Sequence, residues 1–242
     1  VVEQRGEELW IGAAASLEDA WRALVRRAPA LMDVWLRFAS VPIRHAGTMG
    51  GNIANGSPIG DSPPILMALD AEVELRKGER VRRLPLPDLY LDYMKNAFEE
   101  GEFVQAMVVP DAAFRRQVRG YKISKRFDCD ISALCAGMAI ELESEKVTAI
   151  RLAYGGMAAI VKRAAQAEAA ILGQPWTQET VRAAQDALAR DFTPMTDMRA
   201  SDQYRLQVAQ NLLQRLWLET RPGAPLEPHA TNVFSVMPHA AA

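Results

Sequence analysis

Between Val41 and Asp61 the chain carries Gly47, Gly50, Gly51, Gly56 and Gly60, together with Asn52 and Asn55, and few large side chains. A core must therefore come mainly from the segments on either side. Glycine opens backbone conformations that a Cβ forbids and lets the backbone approach a neighbour or a ligand closely. The composition predicts one long loop over Val41–Asp61. Thr48, Asn52, Asn55 and Ser57 add short hydrogen-bonding groups, and successive amides in such a loop form a concavity for phosphate oxygens. Asp61, placed after the glycines, suits a ribose hydroxyl better than a phosphate. No Gly-Lys-Ser/Thr follows, so this is not a P-loop, and no Gly-x-Gly-x-x-Gly occurs. A glycine-rich surface loop that binds nothing is the competing reading.

The flanks alternate strands and helices. Val1–Gln4 and Leu9–Ala13 predict a hairpin around Arg5-Gly6-Glu7-Glu8. Ser16 with Asp19 three residues on resembles a capping box, which predicts a helix over Leu17–Ala28, interrupted by Pro29. Leu31, Val34, Trp35 and Phe38 have the spacing of a second helix. Ser62–Leu69 reads as a short helix with prolines in its first turn, Glu72–Arg76 and Arg80–Leu84 as a hairpin, and Phe103–Val109 as a strand. A second unit begins near Ala112. Val118–Ser124, Ser132–Leu142 and Val147–Tyr154 suit three antiparallel strands, and helices follow over Lys162–Leu172, Thr177–Arg190 and Ser201–Thr220. The last shows Tyr204, Val208, Leu212 and Leu216 four apart, widened by Leu213 and Trp217. From Arg221 to Ala242 the chain is aperiodic and reads as an extended tail. The fold class is α+β, with one unit over residues 1–112 and another over 113–220.

Chemistry-bearing residues outside the glycine-rich stretch are few. Tyr121 to Ser132 packs Lys122, Lys125, Arg126, Asp128 and Asp130 around aromatics at a strand end. A lysine there could polarise a heterocycle carbonyl or nitrogen, with Asp128 tuning it; an exposed strand end with paired charges is the plainer alternative. Phe38 could stack on a ligand ring or simply close the core side of its helix. Cys129 and Cys135 are six apart, outside the usual metal-ligand spacing, and read as free thiols. Asp197-Met198-Arg199 looks like a loop between helices that Arg199 could anchor.

Composition removes several classes. Lys and Arg number 28 against 30 Asp and Glu, which argues against a nucleic-acid partner. No apolar run of about 18 residues occurs, which argues against a membrane span. Two cysteines and three histidines leave little for a metal centre. The chain starts at Val1 inside an expected strand, so a piece of a longer polypeptide is expected.

Phe38 to Asp61, read as FASVPIRHAGTMGGNIANGSPIGD, closely resembles the flavin loop of the molybdenum hydroxylases. Tyr121–Ser132, Tyr154–Ala158 with Lys162-Arg163-Ala164, and Asp197–Ser201 resemble the C-terminal domain of their flavoprotein parts. The likeness is strongest to the small subunit of the xanthine dehydrogenase branch, which the stretch Lys125-Arg126-Phe127-Asp128 favours. It implies part of a vanillyl-alcohol-oxidase-type FAD-binding domain, followed by a three-stranded antiparallel sheet with helices. It implies FAD as cofactor, NAD as electron acceptor, and a molybdopterin-binding large subunit and 2Fe–2S domain as partners in a cytoplasmic hetero-oligomer that oxidises purines. By the same likeness Thr48, Met49, Gly50, Gly51 and Asn52 contact the FAD diphosphate and ribityl chain. Phe38 and Val104 lie beside the cofactor rings, Asp61 binds an adenosine hydroxyl, Lys122 reaches the isoalloxazine, and Asp128 lies near the face where NAD docks. The family's other diphosphate loop, of Gly-Gly-Thr-Asp type, has no counterpart here and is expected in a preceding part. A flavin-free docking fragment, or the flavoprotein of a carbon monoxide dehydrogenase or aldehyde oxidase type enzyme, is the alternative.

Overall fold

The computed structural model describes residues 1–227 and 230–231. The remainder of the expected tail lies outside the described residues. The chain opens with the antiparallel pair β1 (Val2–Arg5) and β2 (Glu8–Gly12), turned at Gly6 with φ +58°. Ser16 caps α1 (Leu17–Arg27) by accepting the Asp19 N–H at 3.1 Å, and Leu17, Ala20, Trp21, Leu24 and Val25 face inward. A 3₁₀ turn at Pro29–Leu31 leads to α2 (Met32–Arg37).

Where the composition predicts one long loop, the chain folds into two short helices, α3 (Val41–Ala46) and α4 (Met49–Ala54). Pro42 sits in the first turn of α3, where its missing N–H costs nothing. Thr48 caps α4, its hydroxyl accepting the Gly51 N–H at 3.1 Å. Of the five glycines only Gly56 takes a positive φ, at +62°. Gly50 serves close packing instead: a Cβ there would lie 2.7 Å from Ala13 Cα.

After α5 (Ser62–Ala68) come β3 (Glu72–Lys77), β4 (Arg80–Pro85), the small hairpin β5 (Tyr90–Asp92) and β6 (Lys95–Asn96), and β7 (Phe103–Pro110). The β5–β6 pair is too short to show a period in sequence. The larger sheet has the order β1-β2-β7-β3-β4 and is antiparallel throughout. Leu9, Ile11, Val73, Leu75, Met107 and Val109 form its core face.

The C-terminal half contains β8 (Gln117–Ile123), β9 (Leu134–Glu143), β10 (Lys146–Gly155) and β11 (Lys162–Arg163), then α6 (Ala165–Ile171), α7 (Gln178–Asp191) and α8 (Asp202–Thr220). The sheet order is β11-β10-β9-β8, so the expected three strands gain a short fourth. Lys162 and Arg163 turn back to pair with Tyr154 and Ala153, which delays the helix expected from Lys162 to Ala165. One face, with Tyr121, Met138, Ile140, Leu152 and Tyr154, packs on the three C-terminal helices.

The other face carries α5, all seven residues of which are buried. Gly137 lies beneath it, where a Cβ would overlap the Pro64 carbonyl and sit 2.8 Å from Ile65 Cα. Val118, Ala139, Ala153 and Val161 thus belong to the same buried cluster as Leu9, Trp21 and Met107. Asp70, at the end of α5, receives Arg116 and Arg151 at 2.5 Å each. Among the described residues no helix is long and apolar enough to cross a membrane.

Candidate functional site

Three backbone hydrogen bonds seat α4 and its entry against the loop after β2. The Met49 and Gly50 N–H groups donate to Ala15 and Ala13 carbonyls at 2.9 Å, and Leu17 N–H donates to Gly47 at 2.9 Å. The Asn52 amide donates to the Thr48 carbonyl at 3.0 Å, and the Gly51 amide goes to the Thr48 hydroxyl. The open nest of amides expected from composition is therefore not what forms, because short-range helix bonds and the neighbouring loop use those donors first. What α4 offers instead is the bare, exposed backbone of Gly51, the Thr48 side chain and the Asn52 carboxamide. The Asn52 Oδ1 is buried and has no hydrogen-bond partner. A buried acceptor left without a donor costs free energy, about 1–3 kcal/mol, unless a ligand supplies one. A cofactor rich in hydroxyls and phosphates fits both features. A hydroxyl satisfies the Asn52 acceptor, and the missing Cβ at Gly51 leaves room for close approach.

Asp61 and Lys122, distant in sequence, meet behind this segment. Lys122 Nζ donates to Asp61 Oδ2 at 2.6 Å and to Ser132 Oγ at 2.7 Å, and the Ser132 hydroxyl donates to Asp61 Oδ1 at 2.6 Å. The Lys122 and Asp61 side chains are 1% and 7% exposed. Asp61 arrives from the start of α5 and Lys122 from β8. On β8 Lys122 points opposite to Tyr121, which faces the C-terminal helices. The three groups close one hydrogen-bonded ring, and two of the three Lys122 N–H donors are engaged within it. Cys135 lies beside them, its thiol 3.8 Å from the Asp61 carbonyl and raised well above the usual thiol range by burial.

The remaining expected residues fall into three settings. Phe38 is 7% exposed, and its ring centroid lies 5.7 Å from that of Trp21. Val104 is 7% exposed on β7, opposite Leu75, in the same buried cluster as Phe38 and Met49. Asp128 stands apart on the exposed loop after β8, accepting the Cys129 N–H at 2.8 Å. The structure thus joins Asp61 with Lys122, keeps Thr48–Asn52 on one short helix, and leaves Asp128 at the rim.

Arginines do much of the positioning, and nothing in their sequence spacing announces it. Arg44 is buried on α3. Its Nη1 donates to the Phe38 and Ala39 carbonyls at 2.9 and 3.2 Å, and its Nε donates to Glu18 at 2.6 Å. Burial pushes the Glu18 carboxyl up, but the hydrogen bond and charge of Arg44 outweigh it and hold it below the usual carboxylate range. Arg205, 1% exposed on α8, donates to the carbonyls of Ala133 and Gly156 and, at 2.7 Å, to Asp197. Gly156 in turn donates to the Pro58 carbonyl at 2.7 Å, which ties α8 to the segment leading into Asp61.

Residues 1–112 match the family described as the FAD binding domain in molybdopterin dehydrogenase, and residues 119–220 match the CO dehydrogenase flavoprotein C-terminal domain. The chain is 30% identical over 230 residues to nicotinate hydroxylase of Emericella nidulans, covering 86% of this chain and 17% of that protein. It is 27% identical over 217 residues to the carbon monoxide dehydrogenase medium chain of Hydrogenophaga pseudoflava, covering 88% and 75%. The putative xanthine dehydrogenase FAD-binding subunit of Escherichia coli is 27% identical, with 79% and 66% covered. Among solved structures, carbon monoxide dehydrogenase from Hydrogenophaga pseudoflava superposes with a TM-score of 0.82 at 28% identity, covering 89% of this chain and 75% of that one. The chain spans less than a fifth of the two fungal hydroxylases it matches, 17% of the nicotinate hydroxylase and 12% of a xanthine dehydrogenase.

Proposed function

We propose that the chain is the FAD-binding flavoprotein part of a molybdenum hydroxylase, an oxidoreductase, a reading its matches to two flavoprotein domains support, and that it carries electrons out of a purine-oxidising, xanthine dehydrogenase-like complex to NAD. Its partners in this reading are a molybdopterin-binding large subunit and a 2Fe–2S domain, which deliver the electrons. FAD held by this chain would supply the chemistry that links one-electron delivery to hydride release.

This chain's residues supply binding, orientation and charge. Thr48 and Asn52 would hold the diphosphate and ribityl groups, with Gly50 and Gly51 letting the backbone come close and Met49 anchoring α4 in the core. Phe38 and Val104 would border the rings from the buried cluster. Asp61 and Lys122 hold each other's charge in a fixed place, and Lys122 would reach the isoalloxazine through its remaining N–H. Asp128 would mark the acceptor side.

The observation that carries the FAD-binding part of the reading is the buried Asn52 acceptor without a donor, beside the bare backbone of Gly51. A carbon monoxide dehydrogenase-type flavoprotein is the second reading, favoured by the likeness to the Hydrogenophaga pseudoflava medium chain, which covers 75% of that chain. Visible spectroscopy of the purified protein with its partner subunits tests both. Oxidised-flavin bands that bleach with xanthine under nitrogen and return with NAD are expected. Bleaching with carbon monoxide instead selects the second reading. A preparation that holds no flavin in excess FAD overturns both.

A further inference from the structure

The last residue of α2 reaches across to the C-terminal half. Arg37 Nη1 donates to the Lys122 carbonyl at 2.9 Å and to Asp33 at 3.2 Å. Its Nε donates to the Phe127 carbonyl at 3.1 Å and its Nη2 to the Ser124 hydroxyl at 3.2 Å. The guanidinium carbon also lies 5.2 Å from the centre of the Phe127 ring. One planar cation therefore grips the end of β8 and the far side of the loop that follows it.

Within that loop, Ser124–Ile131, several short-range bonds form. Ser124 donates to Arg126, and the amides of Arg126 and Ile131 donate to Asp130. At its base Ala133 N–H closes on the Ile123 carbonyl at 2.8 Å. Lys125 reaches the Met198 carbonyl at 2.8 Å. Lys125, Arg126, Phe127, Asp128 and Cys129 are all exposed. Cys129 takes a left-handed φ of +49°, a conformation the surrounding contacts must impose.

We infer that Arg37 is a positioning residue that clamps the Ser124–Ile131 loop and so fixes Asp128 relative to Lys122. The guanidinium is suited to this because its donors point in three directions within one plane. A lysine ammonium is a point charge and cannot reach Lys122, Ser124 and Phe127 together. The consequence for acceptor binding rests on the proposed function above; the clamp itself does not.

Trypsin reads the clamp directly, since it cuts after Lys125 and Arg126. In the full flavoprotein with its partner subunits, cleavage at these two bonds is followed by mass spectrometry in wild type, Arg37→Met, Arg37→Lys and Ser124→Ala. Loss of several hydrogen bonds from a charged donor is expected to speed nicking roughly ten-fold in Arg37→Met, with Arg37→Lys restoring only part and Ser124→Ala giving a smaller increase. In the same preparations Arg37→Met is expected to raise KM for NAD more than it lowers kcat. Nicking at the wild-type rate in Arg37→Met overturns the clamp. Should Arg37→Met fail to fold, wild-type nicking in Ser124→Ala overturns it instead. Faster nicking with an unchanged KM overturns the acceptor-side role. A wild-type complex without flavin, or one indifferent to NAD, defeats the functional reading and leaves the nicking comparison to decide the clamp.

Discussion

Removing the Asp61 carboxylate should strand a buried cation. In Asp61→Ala the Lys122 ammonium, 1% exposed, keeps only the Ser132 hydroxyl. Breaking one side of such a buried pair costs about 3–5 kcal/mol, because the surviving charge is left uncompensated. Lys122→Met strands Asp61 in the same way and should cost a similar amount. The double variant Asp61→Ala with Lys122→Met buries no lone charge, so it should be milder than the sum of the two single losses by roughly 3 kcal/mol. Urea unfolding at neutral pH reads these differences. With a slope of about 3 kcal/mol per molar, each single variant moves the midpoint down by about 1–1.7 M. Single losses under about 1 kcal/mol, or a double variant whose cost is simply additive, would refute the picture of one coupled buried ring.

Two further outcomes follow from the same geometry. Burial pushes the Asp197 carboxyl up, but the Arg199 and Ala200 amides and Arg205 outweigh it and bring it to about 2 from an ordinary 3.8. Its contribution, reduced by solvent screening to roughly 1 kcal/mol, is present above about pH 4 and is lost as pH falls toward 2. Asp197→Asn should therefore start less stable at pH 6 and lose less between pH 5 and 3, as read by thermal melts across that range; parallel curves would disprove the assignment. Gly50→Ala forces a methyl into Ala13 and should cost about 1–3 kcal/mol while weakening FAD retention, read by melting temperature and by the flavin absorbance surviving gel filtration.

Much of the architecture is legible in the sequence because it rests on local signals. The Ser16–Asp19 cap, the Gly6 and Gly78 hairpin turns and the amphipathic stripe of α8 are short-range or periodic, and each produced the element expected. The glycine-rich stretch misleads for an instructive reason. Glycine at positions 50 and 51 signals missing side chains, and the sequence does not say whether the space is taken by a loop, a ligand or a neighbouring backbone. At Gly50 it is taken by Ala13. The family likeness brought Asp61 and Lys122 forward separately. Their contact, across 61 residues of chain, depends on how α5 crosses the sheet and has no local signature. The arginine grips were invisible for the same reason: Arg37, Arg44 and Arg205 act on backbone carbonyls, and a carbonyl carries no sequence identity.

The way α5 sits on Gly137 has a mechanical consequence. A helix whose every residue is enclosed, with its backbone pressed directly on Gly137 of the other half, leaves no side-chain layer at that point along which the halves could slide. Rigid-body swinging of one half against the other would have to tear Asp70 from both Arg116 and Arg151 and open a dry seam. Movement is therefore expected in the peripheral loops rather than between the two halves. A molecule built this way keeps Asp61 of one half and Lys122 of the other at a constant spacing, whatever its surface loops are doing.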